Sequence, residues 1–345
     1  MKRLAALGAL LLVSGCVSLE YYVQAVGGHL EVMRLAVPIE ERLHEADTPE
    51  PLRAKLAKVL AIREFASREL ALPDNGSYRR YADIGRPFVV WNVFAAPEFS
   101  VKPVESCFLF AGCVSYRGFY SEESAQRHAA SLVEKGYDVY VGGVPAYSTL
   151  GWFSDPVLST FIQFPESEVA RIVFHELAHQ LVYVKGDTMF NESFAVTVEE
   201  EGVRRWLERE GTPAQRAAYE DSRRRRSEFV ALVIRYRVEL AAFYDRPADP
   251  EEKRAGKRRL FSAMQDEYRA LKVSWGGFAG YDRFTSGANN ALLASVASYS
   301  ELVPAFRALL ARKQDDLPGF YAAVRDLAGL DKPERDAWLA VLAGR

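Results

Sequence analysis

The stretch Ser167-Glu-Val-Ala-Arg-Ile-Val-Phe-His-Glu-Leu-Ala-His-Gln180 decides how this chain is read. Val169, Ile172, Val173, Leu177 and, just beyond it, Leu181 recur at three- and four-residue spacings, the period of a helix packed on a core. Ser167 suits the N-cap. On such a helix His175 and His179, four positions apart, stack on one face and can grip a single metal ion. Glu176 lies next to them in sequence and reaches the ion's open side, where it can take a proton from bound water.

A catalytic zinc needs three protein ligands and an open fourth position. The extended pattern with a glycine and a third histidine is absent, because Val182 and Lys185 occupy those positions. His29, His44 and His128 lie far upstream. The candidate is Glu192, in Asn191-Glu-Ser-Phe-Ala195. If the helix runs to Lys185 with Gly186 as its C-cap, residues 187–190 can return extended. At about 3.3 Å per residue that covers roughly 13 Å and brings Glu192 level with His179. Glu199, seven positions on, shares a face with Glu192 on a following helix and is expected to hold a histidine ring nitrogen from behind.

Outward from this segment, residues 20–70 read as two helices punctuated by Pro38, Pro49 and Pro51. Between about 87 and 150 the apolar period shortens toward two. Phe88–Phe94 and Tyr137–Gly142 read as strands, a helix from Ser121 to about Lys135 lies between them, and Pro145–Thr149 reads as an edge strand. From Ser167 onward the pattern is mostly helical, with one helix expected over 291–311 and a last one after it. The expected fold class is α+β: a small mixed sheet packed on a larger, mostly helical part that carries the His-Glu-x-x-His helix. The run Arg223–Arg226 reads as a solvated helix face.

The full sequence of 345 residues carries 44 Lys and Arg against 46 Asp and Glu, which argues against a nucleic-acid partner. Lys2 and Arg3 precede an apolar run, Leu4 to Val13, that is too short to span a bilayer and fits a secretory signal. Leu12-Val-Ser-Gly-Cys16 then resembles the lipobox of bacterial lipoproteins, which implies cleavage before Cys16 and lipid on it. The expected division is 1–15 as signal peptide and 16–345 as one metallopeptidase domain, with helices and sheet over 16–160 and the helical zinc-binding lobe over 161–345. Val17 and Ser18, with no aspartate after the cysteine, favour an outer-membrane location facing the periplasm if the cell is Gram-negative. Cys107 and Cys113, six positions apart, suit a disulfide in an oxidising compartment; two buried thiols in an apolar segment are the alternative.

His175-Glu-Leu-Ala-His-Gln180 followed by Asn191-Glu-Ser-Phe-Ala-Val-Thr-Val-Glu199 resembles the zinc helix and third-ligand helix of gluzincin aminopeptidases of the alanyl-aminopeptidase type. The resemblance implies His175, His179 and Glu192 as ligands of one catalytic Zn2+ and Glu176 as general base. Twelve residues separate His179 from Glu192, fewer than in that family, and the Gly-x-Met-Glu-Asn signature for a substrate amine is missing. The chain is closer to a bacterial family of predicted zinc aminopeptidase lipoproteins, through Cys16-Val-Ser-Leu-Glu-Tyr-Tyr-Val-Gln24, Gly112-Cys-Val-Ser-Tyr-Arg-Gly118 and Phe190-Asn-Glu-Ser-Phe194.

The expected activity is hydrolysis of N-terminal residues from peptide substrates in the cell envelope, with the membrane engaged through lipid on Cys16. Tyr281 and Tyr299 are candidates for the donor to the oxyanion, and Tyr147 for the cleft wall. Glu200 and Glu201 lie near enough to be considered for the substrate amine, or they face solvent. The alternatives are a zinc endopeptidase, a cell-wall amide hydrolase, and a non-catalytic zinc-binding envelope lipoprotein.

Overall fold

The computed structural model of the protein describes residues 21–108 and 112–344; the signal segment 1–15 and Cys16 lie outside them. Helix α1 occupies 21–35 of the described chain. It is followed by β1 (Val37–Pro38), α2 (Ile39–His44), α3 (Glu50–Arg68), β2 (Arg80–Ala82) and β3 (Val90–Pro97). Next come β4 (Ser106–Phe108), β5 (Gly112–Val114), β6 (Arg117–Phe119), α4 (Glu122–Val133), β7 (Tyr137–Val144) and β8 (Val157–Leu158). The rest is helical: α5 (Glu166–His179), α6 (Thr188–Glu210), α7 (Pro213–Tyr244), α8 (Pro250–Ser274) and α9 (Asp282–Ser286), then α10 (Asn290–Ser300), α11 (Val303–Arg312), α12 (Leu317–Ala328) and α13 (Lys332–Leu342). The architecture is α+β with helices dominant.

In place of one mixed sheet the described residues form three small ones. β1-β2-β8 is mixed, β6-β3-β7 is antiparallel, and β4-β5 is a hairpin. Side chains of β3 alternate between the faces of its sheet, as a strand dictates. Trp91 and Val93 pack with Phe119 against Ala125 and Ala129 of α4, while Phe94 and Ala96 pack against Ala291 of α10. The antiparallel sheet is therefore covered on both sides. Cys107 and Cys113 are paired in a disulfide across the β4-β5 hairpin. Residues 145–149 are not a strand; they run irregularly along the cleft described below.

The largest core joins α3, α5, α6, α11, α12 and α13 through Phe174, Leu177, Phe190, Phe194, Trp206, Phe306 and Phe320. At the crossing of α5 and α6 a Cβ on Gly202 would lie 2.7 Å from Phe174 and 2.8 Å from Leu70, so only glycine lets these helices approach this closely. A second core, around Phe229, Tyr236, Met264, Tyr268 and Trp275, packs α7 on α8.

Four helix boundaries differ from the sequence expectation. Where the sequence reads two helices over residues 20–70, the described residues 21–70 hold three, because the chain straightens at Val37–Pro38 to pair with β2. Helix α5 starts after Pro165, whose carbonyl accepts from Glu168 and Val169, and Ser167 sits inside its first turn. It also ends at His179 rather than near Lys185. Gln180 is held there by Asn75 at 2.7 Å and Ser77 at 3.2 Å, and Asn191 clamps both backbone groups of Val184 at 2.7 and 2.8 Å, so residues 180–187 form a turn. The expected helix over 291–311 is broken between α10 and α11, where Pro304 lacks the N–H that would continue it.

Candidate metal centre and active site

Helix α5 presents His175 and His179 inward, with their ring centroids 4.8 Å apart. Because α5 stops at His179 and Gly186 turns the chain with φ +80°, α6 returns beside it directly and no extended stretch is needed. Asp187 caps α6 by accepting from the Phe190 N–H at 3.2 Å, and is itself fixed by Arg335 at 2.8 Å. Glu192 falls one turn into α6, facing both histidines. Its Oε2 lies 3.2 Å from His175 Nε2 and 3.5 Å from His179 Nε2, and the two Nε2 atoms are 3.2 Å apart. All three residues are buried, with one ligand atom from each lying within 4.8 Å of the others.

A metal fits these residues on three grounds. Two imidazoles and a carboxylate are the donor set a divalent transition ion takes. The opposite nitrogen of His175, Nδ1, lies 2.8 Å from Glu199 Oε2, so Nδ1 donates its proton there and Nε2 is the nitrogen that faces the cluster. The electrostatics also favour a cation at this point. Burial disfavours a charged His175, yet the hydrogen bonds it donates to the Glu192 and Glu199 carboxylates hold its pKa above the ordinary value, so positive charge is stabilised at this point. Burial likewise pushes the Glu192 carboxyl up, and His179 and His175 outweigh it to bring it below its ordinary value, so Glu192 stands as a carboxylate.

Glu199 stands behind His175. It is fully buried and takes Arg171 on both oxygens, at 3.3 and 3.2 Å, and Arg226 at 3.0 Å. The two guanidiniums hold its carboxyl well below the usual range against the burial that opposes them. Arg226 is thus not part of a solvated arginine face, although Arg223 and Arg224 do pair with surface acids. Neither arginine was singled out as part of the site from the sequence. Arg171 lies four positions before His175, hence on the same helix face, which was a readable signal; Arg226 is on another helix and left none.

The cluster opens into a cavity of about 550 Å³ lined by Glu176, Tyr116, Tyr147, Tyr183 and Tyr299 among others. Burial raises the Glu176 carboxyl above its ordinary value. Burial and the Glu192 charge push the phenols of Tyr299 and Tyr116 well above theirs, so both keep their protons. Tyr147 lines the cleft, with its hydroxyl 2.8 Å from His29 Nδ1. Tyr281 does not share this cavity. Its ring stacks on Phe229 with centroids 4.1 Å apart and lines a neighbouring cavity of about 290 Å³, which meets the first at Asn92, Val144, Arg226 and Tyr299. Glu200 is bound to Arg307, and Glu201 to Arg204 and Arg205, so neither reaches the cleft as a free carboxylate.

The chain matches the family model described as "Putative aminopeptidase" over residues 20–339, and it belongs to that family. No curated protein and no solved structure matches it.

Proposed function

We propose that this protein is a zinc-dependent aminopeptidase of gluzincin type, held at the cell envelope by lipid on Cys16 and acting on peptides there, with an outer-membrane, periplasm-facing location. The observation that carries the reading is the convergence of His175, His179 and Glu192 within 4.8 Å, in a cleft that also contains Glu176. Family membership supports peptidase chemistry.

The residues divide the work as follows. His175, His179 and Glu192 would hold one zinc ion, and Glu199 orients His175 through its Nδ1–H. A bound zinc would supply Lewis acidity there, lowering the pKa of water toward about 7. Glu176 takes a proton from the attacking water and returns it to the departing amine; its raised pKa makes the carboxylate the stronger base. Tyr299 and Tyr116, protonated and beside Glu192, are the phenol donors for the oxyanion that develops at the carbonyl. Arg171 and Arg226 keep Glu199 ionised and immobile.

One observation favours a second reading, cleavage of blocked peptides or of a cell-wall amide. Among the described residues the carboxylates lining the cleft are Glu176, Glu192 and Glu199, and each is committed, which leaves none to anchor a substrate ammonium. The test is hydrolysis of aminoacyl-fluorophores beside their N-acetylated counterparts, with Glu176→Gln as control. Hydrolysis of the free-amine substrates alone, lost in Glu176→Gln, supports the aminopeptidase. Equal hydrolysis of the blocked ones moves the protein to the second reading, and hydrolysis unchanged in Glu176→Gln overturns the role of that residue.

A further inference from the structure

Helix α1 has two apolar faces. Tyr21 and Ala25 line the catalytic cleft and Val32 is buried in the main core. On the opposite face Val23, Val26 and Leu30, spaced i, i+3 and i+7, are 63, 57 and 58% exposed. Phe153 packs on the ring of His29, the neighbour of Leu30 in sequence, with centroids 4.7 Å apart, and the loop it belongs to carries Trp152, 80% exposed. No Asp, Glu, Lys or Arg occurs in residues 21–30 or 144–154. An uncharged apolar surface of this kind marks an interaction site.

We propose that this face docks on a lipid bilayer, with Trp152 seated at headgroup level, and so fixes the mouth of the cleft against the membrane surface. The proposal rests on the envelope reading for what the face meets. Tyr21 is five positions after Cys16, and at about 3.5 Å per residue an anchored Cys16 keeps the start of α1 within roughly 18 Å of the bilayer. An apolar helix strip lying in the interface, next to an indole that keeps its N–H in the polar layer, is the chemistry by which monotopic proteins rest on lipid. Within residues 21–30 and 144–154 docking desolvates no charge, and the exposed Glu31 and Arg34 mark the end of the strip in the last turn of α1. The same two segments supply Tyr22, Ala25 and Tyr147 to the cleft, so its substrates are peptides presented at the membrane surface.

The test uses the full chain recovered from membranes and reconstituted into phosphatidylethanolamine–phosphatidylglycerol vesicles, with and without brominated acyl chains. Tryptophan emission is expected to fall with the brominated lipid. The fall disappears in Trp152→Phe and shrinks in Val26→Glu, whose changed position is exposed and outside the cleft. The mass of Cys16 and flotation with vesicles report the anchor separately. A chain that carries lipid and floats but whose Trp152 is not quenched keeps the anchor and overturns the docking. For a chain without lipid on Cys16, emission at high vesicle concentration still decides: quenching of Trp152 supports docking, and none overturns it. Self-association abolished by Val26→Glu, without lipid quenching, would give the face to a second copy and overturn the proposal.

Discussion

The Nδ1 atom of His175 lies 2.8 Å from Glu199 Oε2, seven residues beyond the proposed third ligand on the same helix. One helix therefore brings both the carboxylate that faces the metal position and the one that fixes the tautomer of the opposing histidine. Glu199→Gln keeps the shape but removes the charge that Arg171 and Arg226 bracket. Loss of such a partner lowers metal affinity by about 10- to 100-fold. Competition with a chromogenic zinc chelator measures it, and affinity equal to the wild type would remove Glu199 from the site.

The two sequence-nominated tyrosines are separated by the structure, and their variants should differ. Tyr299→Phe removes a phenol from the cleft beside Glu192 and is expected to lower kcat by about 10²-fold with KM little changed. Tyr281→Phe keeps the ring that stacks on Phe229 in the adjoining cavity and should leave kcat within a few-fold. Steady-state kinetics of the pair decide it; equal losses would place the oxyanion elsewhere.

Asp155 makes stability depend on pH. It is buried and accepts from Thr149 N–H at 2.8 Å and Thr149 Oγ1 at 3.0 Å, and burial lifts its pKa from 3.8 to about 7. Between those values the folded chain binds more protons at this residue than the unfolded chain. The contribution of Asp155 to stability is thus fully present below about pH 4 and declines as pH rises toward 7. The slope is at most about 1.4 kcal/mol per pH unit. Denaturant titrations from pH 5 to 8 on the wild type and Asp155→Asn isolate it: the variant should lose this component, and identical pH profiles would contradict the assignment.

Arg335 reaches from α13 to Asp187, the N-cap of α6, with both side chains only 4% exposed. Arg335→Met strands part of a buried charge, for which the loss is about 3 kcal/mol; Lys332, also on Asp187 at 3.1 Å, keeps it toward the low end of such effects. Urea unfolding at pH 7 gives the number. A change below about 0.5 kcal/mol, typical of neutral surface substitutions, would show that the pair does not hold α6 in place.

Much of the candidate site is legible in the sequence because it is local. The i, i+4 histidines, the adjacent glutamate and the apolar period of α5 are a helical pattern within fourteen residues, and Glu192 and Glu199 repeat the argument on α6. The turn between them was not legible. Asn75, Ser77 and Asn191 end α5 early, and two of the three lie a hundred residues away in sequence. Strand existence followed from period two in β3 and β7, but the division into three sheets depends on pairings such as Tyr81 with Val157 that no local pattern encodes. Tyr116 and Arg226 entered the cleft for the same reason: tertiary packing, not spacing, brings them to Glu192 and Glu199.

The central claim is that His175, His179 and Glu192 hold one metal ion while Glu176 does not. The most direct measurement is metal content per chain by elemental analysis, after dialysis against trace zinc, for the wild type, Glu176→Gln and Glu192→Ala. The account predicts about one zinc in the wild type and in Glu176→Gln, and a loss in Glu192→Ala. Zinc retained at full stoichiometry in Glu192→Ala, or lost in Glu176→Gln, would contradict it.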